Sequence, residues 1–160
     1  MPDLIQTFGS QEGKLLLEKA RTSPRLRQNH NLHNLEDTVQ RFANALLPFS
    51  YVRPHRHLSP PKTETFILLK GRVWVVIFED TGEIIDGKLM DGKRIQVVDI
   101  LPGCWHTLIA TKPSITFEVK PGPYDPATDK EFAAWAPSEE EKDLHVGVIR
   151  SWLKKLPSFL

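Results

Sequence analysis

The sequence holds one cysteine, Cys104, so no internal disulfide is available to it. That agrees with a reducing compartment, and the cytoplasm is the expected location. Charge of one sign is also missing: 21 basic against 20 acidic residues leave a net +1, with no basic block of the kind that tracks phosphates. Nucleic acid is therefore not an expected partner. Long apolar runs are absent too. Phe66 to Leu69 and Val73 to Phe78 fall far short of a membrane span. Met1-Pro2-Asp3-Leu4 has an early acid and no basic flank, unlike a secretory signal. There is no internal repeat and no low-complexity segment. What the chain has in quantity is proline, thirteen of them, which suits short strands and turns better than a helical bundle. At 160 residues with 40% hydrophobic content, one soluble domain with a real core is expected.

Ser10 to about Thr22 reads as a helix built on Leu15, Leu16 and Leu17, ended by Pro24. Ser23 to His33 is polar and extended. Val39 to Leu47 is a helix by propensity alone. From Tyr51 to Val119 the signals are β throughout. Thr63 to Leu69 and Val73 to Phe78 are joined by a hairpin turn at Lys70-Gly71-Arg72. Ile84-Ile85 opens a further strand, and Arg94 to Leu101, Trp105 to Thr111 and Ser114 to Lys120 follow. This spacing of short strands predicts a sandwich or barrel of the jelly-roll kind. After Lys120 the chain turns irregular through Ala127 to Trp135. A final helix is predicted from a capping box at Ser138 and Glu141. Its apolar face is expected on Leu144, Val148 and Trp152, with His145 exposed to solvent.

The chemistry concentrates between Arg53 and Gly71. His55 and His57 are two apart, and on an extended backbone such residues point to one face. Glu64 begins the apolar run that Gly71 ends. Imidazole and carboxylate are the ligands that borderline divalent metals take. His106 follows a Pro102-Gly103 turn, a hairpin later. The expectation is that His55, His57, Glu64 and His106 converge on one metal. Arg53 and Arg72 are candidates to meet an anionic substrate, because guanidinium forks onto carboxylate or phosphate. Solvated strand ends are the plain alternative for both. Tyr124 and Trp105 are candidates for the mouth of a pocket or simply for the core. Cys104, two residues before His106, reads as a small buried hydrophobe.

His55, His57, Glu64 and Gly71, with six residues between the last two, resemble the first cupin motif, and Pro102, Gly103 and His106 resemble the second. The leading glycine of the first motif is missing, its His-to-Glu gap is lengthened through Ser59-Pro60-Pro61, and Ala110 stands where the second motif has asparagine. The likeness extends further. Ser23-Pro24-Arg25-Leu26-Arg27, Tyr51 to His57, Pro102 to Leu108, Phe117 to Lys120 and Gly122 to Phe132 resemble the WbuC family of cupin-fold metalloproteins, over about Leu15 to Pro137.

That resemblance implies a mainly β cupin double-stranded β-helix, a jelly-roll barrel with an N-terminal and a C-terminal helix. Residues 1–40 form the N-terminal cap, 41–125 the barrel, and 126–160 the tail with its amphipathic helix. It also implies that Val39 to Leu47 is a strand leading to a turn near Pro48, and it makes Asn29 and His33 family-like positions at the pocket. One divalent ion is implied. Three imidazoles and a carboxylate take Fe, Mn, Ni, Zn or Co without choosing among them. A small-molecule ligand is the expected partner, and a homodimer follows by fold analogy. The family's name comes from a reading frame beside bacterial surface-polysaccharide genes, which suggests a sugar or sugar derivative. The implied activity is a metal-dependent oxygenase, isomerase or hydrolase. The competing readings are a non-catalytic metal and ligand-binding module or sensor, and a metal-free sugar-nucleotide epimerase, which would not need Glu64 beside three histidines.

Overall fold

Two apolar runs set the layering. Val73–Phe78 (β5) and Trp105–Ala110 (β8) are buried on nearly every residue, as strands covered on both faces must be. Their alternate side chains separate cleanly. Val73, Val75, Leu108 and Ala110 enter one core, while Trp74, Val76, Phe78, Trp105 and Ile109 enter another. The computed structural model describes residues 4–160 and shows what covers each face. Met1 to Asp3, the start of the segment read above as unlike a signal, lie outside the described residues.

The remaining elements are α1 (Ser10–Thr22), β1 (Arg27–Asn31), β2 (Val39–Leu46), β3 (His55–Arg56), β4 (Glu64–Lys70), β6 (Ile84–Met90), β7 (Val97–Ile100), β9 (Ser114–Pro121), β10 (Glu131–Phe132) and α2 (Lys142–Lys155), followed by a short 3-10 turn. The strands form two five-stranded antiparallel sheets, ordered β1-β2-β9-β4-β7 and β10-β3-β8-β5-β6. Leu46 and Phe66 from the first sheet meet Val75, Met90 and Leu108 from the second. α1 covers the outside of the first sheet through Leu16, Leu17 and Ala20 on Ala43, Ala45 and Ile115. α2 covers the outside of the second. This is the mainly β cupin jelly roll with a helix at each end. Val39–Leu46 is a strand despite its helical propensity. Pairing on both sides, with β1 and β9, overrides a weak local preference. No helix among the described residues is long and apolar enough to cross a membrane.

The last helix differs from expectation in its register. Its buried residues are His145, Ile149 and Trp152, while Leu144 is 51% exposed. His145 is not solvated. Its ring stacks on Tyr51 at 3.9 Å between centroids, and its Nε2 donates to the Ser138 carbonyl at 2.8 Å. A histidine with a carbonyl partner and an aromatic face is a core residue, and that moved the helix face by one position.

Gly71 ends β4 with φ +90°, and a Cβ there would stand 2.6 Å from the Pro113 carbonyl oxygen and 2.7 Å from the Ser114 Cα. Both are backbone atoms of the neighbouring turn. Gly71→Ala is expected to cost about 2–3 kcal/mol, from left-handed strain plus a clash that cannot be relieved by a rotamer change. Urea denaturation of the two proteins checks this.

Candidate metal centre

β3 and β8 pair with His55 opposite His106. That register places two imidazoles on the inner face of the second sheet, 4.4 Å apart between centroids. His57 follows two residues after His55 on the same side. Glu64 opens β4 in the first sheet and reaches across. All four are at most 3% exposed, and one ligand atom from each lies within 4.8 Å of the others.

Each imidazole is oriented by a backbone carbonyl. His55 Nδ1 donates to Arg53 O and His106 Nδ1 donates to Cys104 O, each at 2.9 Å, and His57 Nδ1 donates to Asp129 O. A carbonyl can only accept, so the ring proton of a neutral imidazole sits on Nδ1 and the Nε2 lone pair faces inward. His57 Nε2 then meets Glu64 Oε1 at 3.0 Å, and His106 Nε2 meets Glu64 Oε2 at 2.6 Å. His57 Nε2, His106 Nε2 and Glu64 Oε2 have no properly aligned hydrogen-bond partner among the described residues. Lone pairs buried face to face need a positive species between them, either protons or a cation. This donor set fits a divalent metal, and the carbonyl tethers are the outer shell that fixes the tautomer of a ligating histidine.

The titration of the site agrees. Burial first, then the nearby Lys130 and His106, hold His55 well below the usual imidazole range, so it stays neutral and able to ligate. Burial alone would raise Glu64, but the adjoining His106 and His57 outweigh it and hold the carboxyl well below its ordinary range.

Around the quartet lies a second polar cluster that sequence reasoning missed. The Asp129 carboxylate accepts from Lys62 Nζ at 2.8 Å and from Lys120 Nζ at 3.1 Å. Lys120 also lies 3.5 Å from Glu64 Oε1 and 3.6 Å from Glu118 Oε1. Glu118 accepts from Asn44 Nδ2 at 2.8 Å. Burial, then the charge of Glu64, raises Glu118 to about 8. Burial opposes the charge on Lys120, but Glu118, Glu64 and Asp129 outweigh it and raise the ammonium above its ordinary value. Burial likewise opposes the charge on Asp129, and Lys120 and Lys62 outweigh it, so Asp129 is lowered. The alternation of Glu118 and Lys120 along β9 and the family-like stretch that holds Asp129 are the sequence signals for this cluster; Lys62 carries none.

Beside the quartet opens a cavity of about 400 Å³. Of the residues singled out for substrate, Tyr124, His33 and Asn29 line it, together with His55 and Glu64. Arg53 stands behind the site. Its Nη2 donates to Ala133 O at 2.9 Å, and its own carbonyl orients His55. Arg72 sits at the β4–β5 turn, where its backbone bonds Ser114 and Thr111, away from the cavity. Trp105 lies on the other face of its sheet from the cavity, in the second core, its indole donating to Asp80 at 2.7 Å.

A family model described as a domain of unknown function, DUF6016, matches residues 10–90. No curated protein matches the chain. Among solved structures, the chain is similar to the capsular polysaccharide assembling protein CapF from Staphylococcus aureus, at 23% identity and a TM-score of 0.57, over 69% of this chain and 32% of that one. It is also similar to oxalate oxidase in complex with the substrate analogue glycolate, at 17% identity and a TM-score of 0.50, over 82% of this chain and 67% of that one. The chain thus spans about a third of the length of CapF. At these identities the likeness is one of fold.

Proposed function

The chain belongs to the DUF6016 family, a domain of unknown function, and within it we propose a cupin metalloprotein that holds one divalent ion on His55, His57, Glu64 and His106 and acts on a small polar molecule in the adjoining cavity. The observation that carries this is the set of three carbonyl tethers, which turn three Nε2 lone pairs toward one buried carboxylate. A bound ion would polarise a carbonyl or acidify a water, or, if redox-active, support oxygen chemistry. The chain's own part is to present a neutral His55, to keep Glu64 anionic and to leave the cavity side open to a ligand.

The ligand reading, a sugar or sugar derivative of surface polysaccharide, is supported by the WbuC resemblance of the sequence and by the likeness to CapF, a capsular polysaccharide assembling protein of which about a third is matched. The cavity volume of about 400 Å³ lies within the usual range for small-molecule clefts.

Metal should stabilise the fold. Chelator-treated protein given excess Mn, Zn, Ni or anaerobic Fe(II) is expected to melt about 10 °C higher with the preferred ion, the shift produced by free metal at about 1,000 times its Kd. Because the ligands must be deprotonated, and because burial lowers His55, proton competition at that ligand begins only below the usual imidazole value. The gain is therefore expected to be constant above about pH 7 and to disappear progressively below about pH 6. An identical melting temperature with and without every ion would contradict the reading.

A further inference from the structure

The cavity carries more positive charge than the metal quartet uses. Arg25, Arg27, Lys120 and Lys130 line it against the carboxylates of Glu64 and Glu118. Two of these cations are committed. Arg27 pairs with Glu139 at 2.8 Å, and Lys120 is shared among Asp129, Glu64 and Glu118. Lys130 and Arg25 have no carboxylate within 4.0 Å among the described residues. A divalent ion on the quartet would add further positive charge.

The backbone that carries Lys130 is held on both sides. The residue before it, Asp129, is clamped by Lys62 and Lys120. The residue after it, Glu131, begins β10 opposite Arg56, whose guanidinium binds that carboxylate through two contacts of 2.9 Å. Its ammonium thus projects from an anchored segment at the wall of the cavity, without a counter-charge in contact, where an anion can meet it.

The rest of the wall is made of amides. From Arg25 to His33 every odd-numbered residue lines the cavity, so the inner face of β1 presents Asn29 and Asn31. On β2, Gln40 is only 2% exposed, and its Nε2 has no hydrogen-bond partner among the described residues. A buried donor without an acceptor is costly, and a ligand oxygen would satisfy it. Amides both donate and accept, which matches hydroxyl groups.

We propose that Lys130, with Arg25 at the mouth, binds the acidic group of a polyhydroxylated ligand, a sugar acid or sugar phosphate, whose hydroxyls are taken up by Asn29, Asn31 and Gln40. This rests on the metal reading only in that the ion would provide a further anchor. The test is calorimetric titration of the manganese-loaded full chain with D-gluconate, D-glucose 6-phosphate and D-glucose. At least one anion is expected to bind about tenfold or more tighter than glucose, and Lys130→Met is expected to remove that advantage without changing glucose affinity or metal content, whereas Lys130→Arg retains it. Tighter gluconate identifies a carboxylate, and tighter glucose 6-phosphate a phosphate. Equal affinity for anions and glucose, no binding of either anion, or an unchanged Lys130→Met variant overturns the proposal. The first two outcomes decide it on the wild-type chain alone, even if the variant misfolds. The metal-free chain is titrated in parallel. An anion preference in protein that takes up no ion sinks the metal reading and leaves this one standing. Metal uptake with no anion preference does the reverse.

Discussion

Asp129→Ala is expected to destabilise the fold by about 3–5 kcal/mol, the cost of leaving buried charge without its partner. Lys62 is 4% exposed and Asp129 is its only carboxylate within 4.0 Å among the described residues, its other contact being the Pro123 carbonyl at 3.2 Å. Lys120 loses one of three carboxylates but keeps Glu64 and Glu118. Most of the cost therefore falls on Lys62, and Lys62→Met in the same chain should recover part of it, a coupling that a double-mutant cycle by urea denaturation measures. The same ion pairs set an acid limit. Asp129 is lowered in the folded state, so its contribution is fully present above the unfolded carboxylate value of about 3.9 and is lost as pH falls through the folded one. A loss below about 1 kcal/mol, the range of an exposed pair, would show that the cluster is solvated and not part of the core.

His106→Ala is expected to weaken metal binding by more than about 100-fold, since even outer partners of a ligand cost 10–100-fold. His106 is the ligand nearest Glu64, at 2.6 Å, and is only 1% exposed. The His106 ring sits 4.4 Å from that of His55 between centroids and is oriented by the Cys104 carbonyl at 2.9 Å. Competition with a chelator of known affinity, alongside circular dichroism to confirm that the variant folds, measures the effect. A loss within a factor of ten, in a folded variant, would mean that His106 is a satisfied core histidine.

The quartet was legible because its chemistry is local. His55 and His57 share a face by the period of a strand, and a carboxylate opening an apolar run is rarely without purpose. The cupin motifs supplied the one long-range relation, that Glu64 and His106 meet them. The Lys62–Asp129–Lys120 cluster was not legible. Its members lie on a proline-rich loop, an irregular segment and a strand end, and single charges in such places read as surface. Of the cavity wall, Asn29, His33 and Tyr124 were singled out, and the rest was missed for a related reason. Periodicity reading takes the apolar face of a strand as the inner one, but Arg27, Asn29 and Asn31 face inward because a ligand cavity, not a core, lies there. The register of α2 failed at His145, a polar residue made core by a carbonyl and an aromatic ring.

Elemental analysis of the untagged protein, purified without added metal and beside His106→Ala, tests the metal centre most directly. The predicted result is about one transition-metal ion per chain in the wild type, lost in the variant, as four convergent ligands require. No metal in the wild type, even after anaerobic reconstitution with Fe(II), Mn, Ni and Zn in turn, would contradict it and leave a metal-free binding barrel.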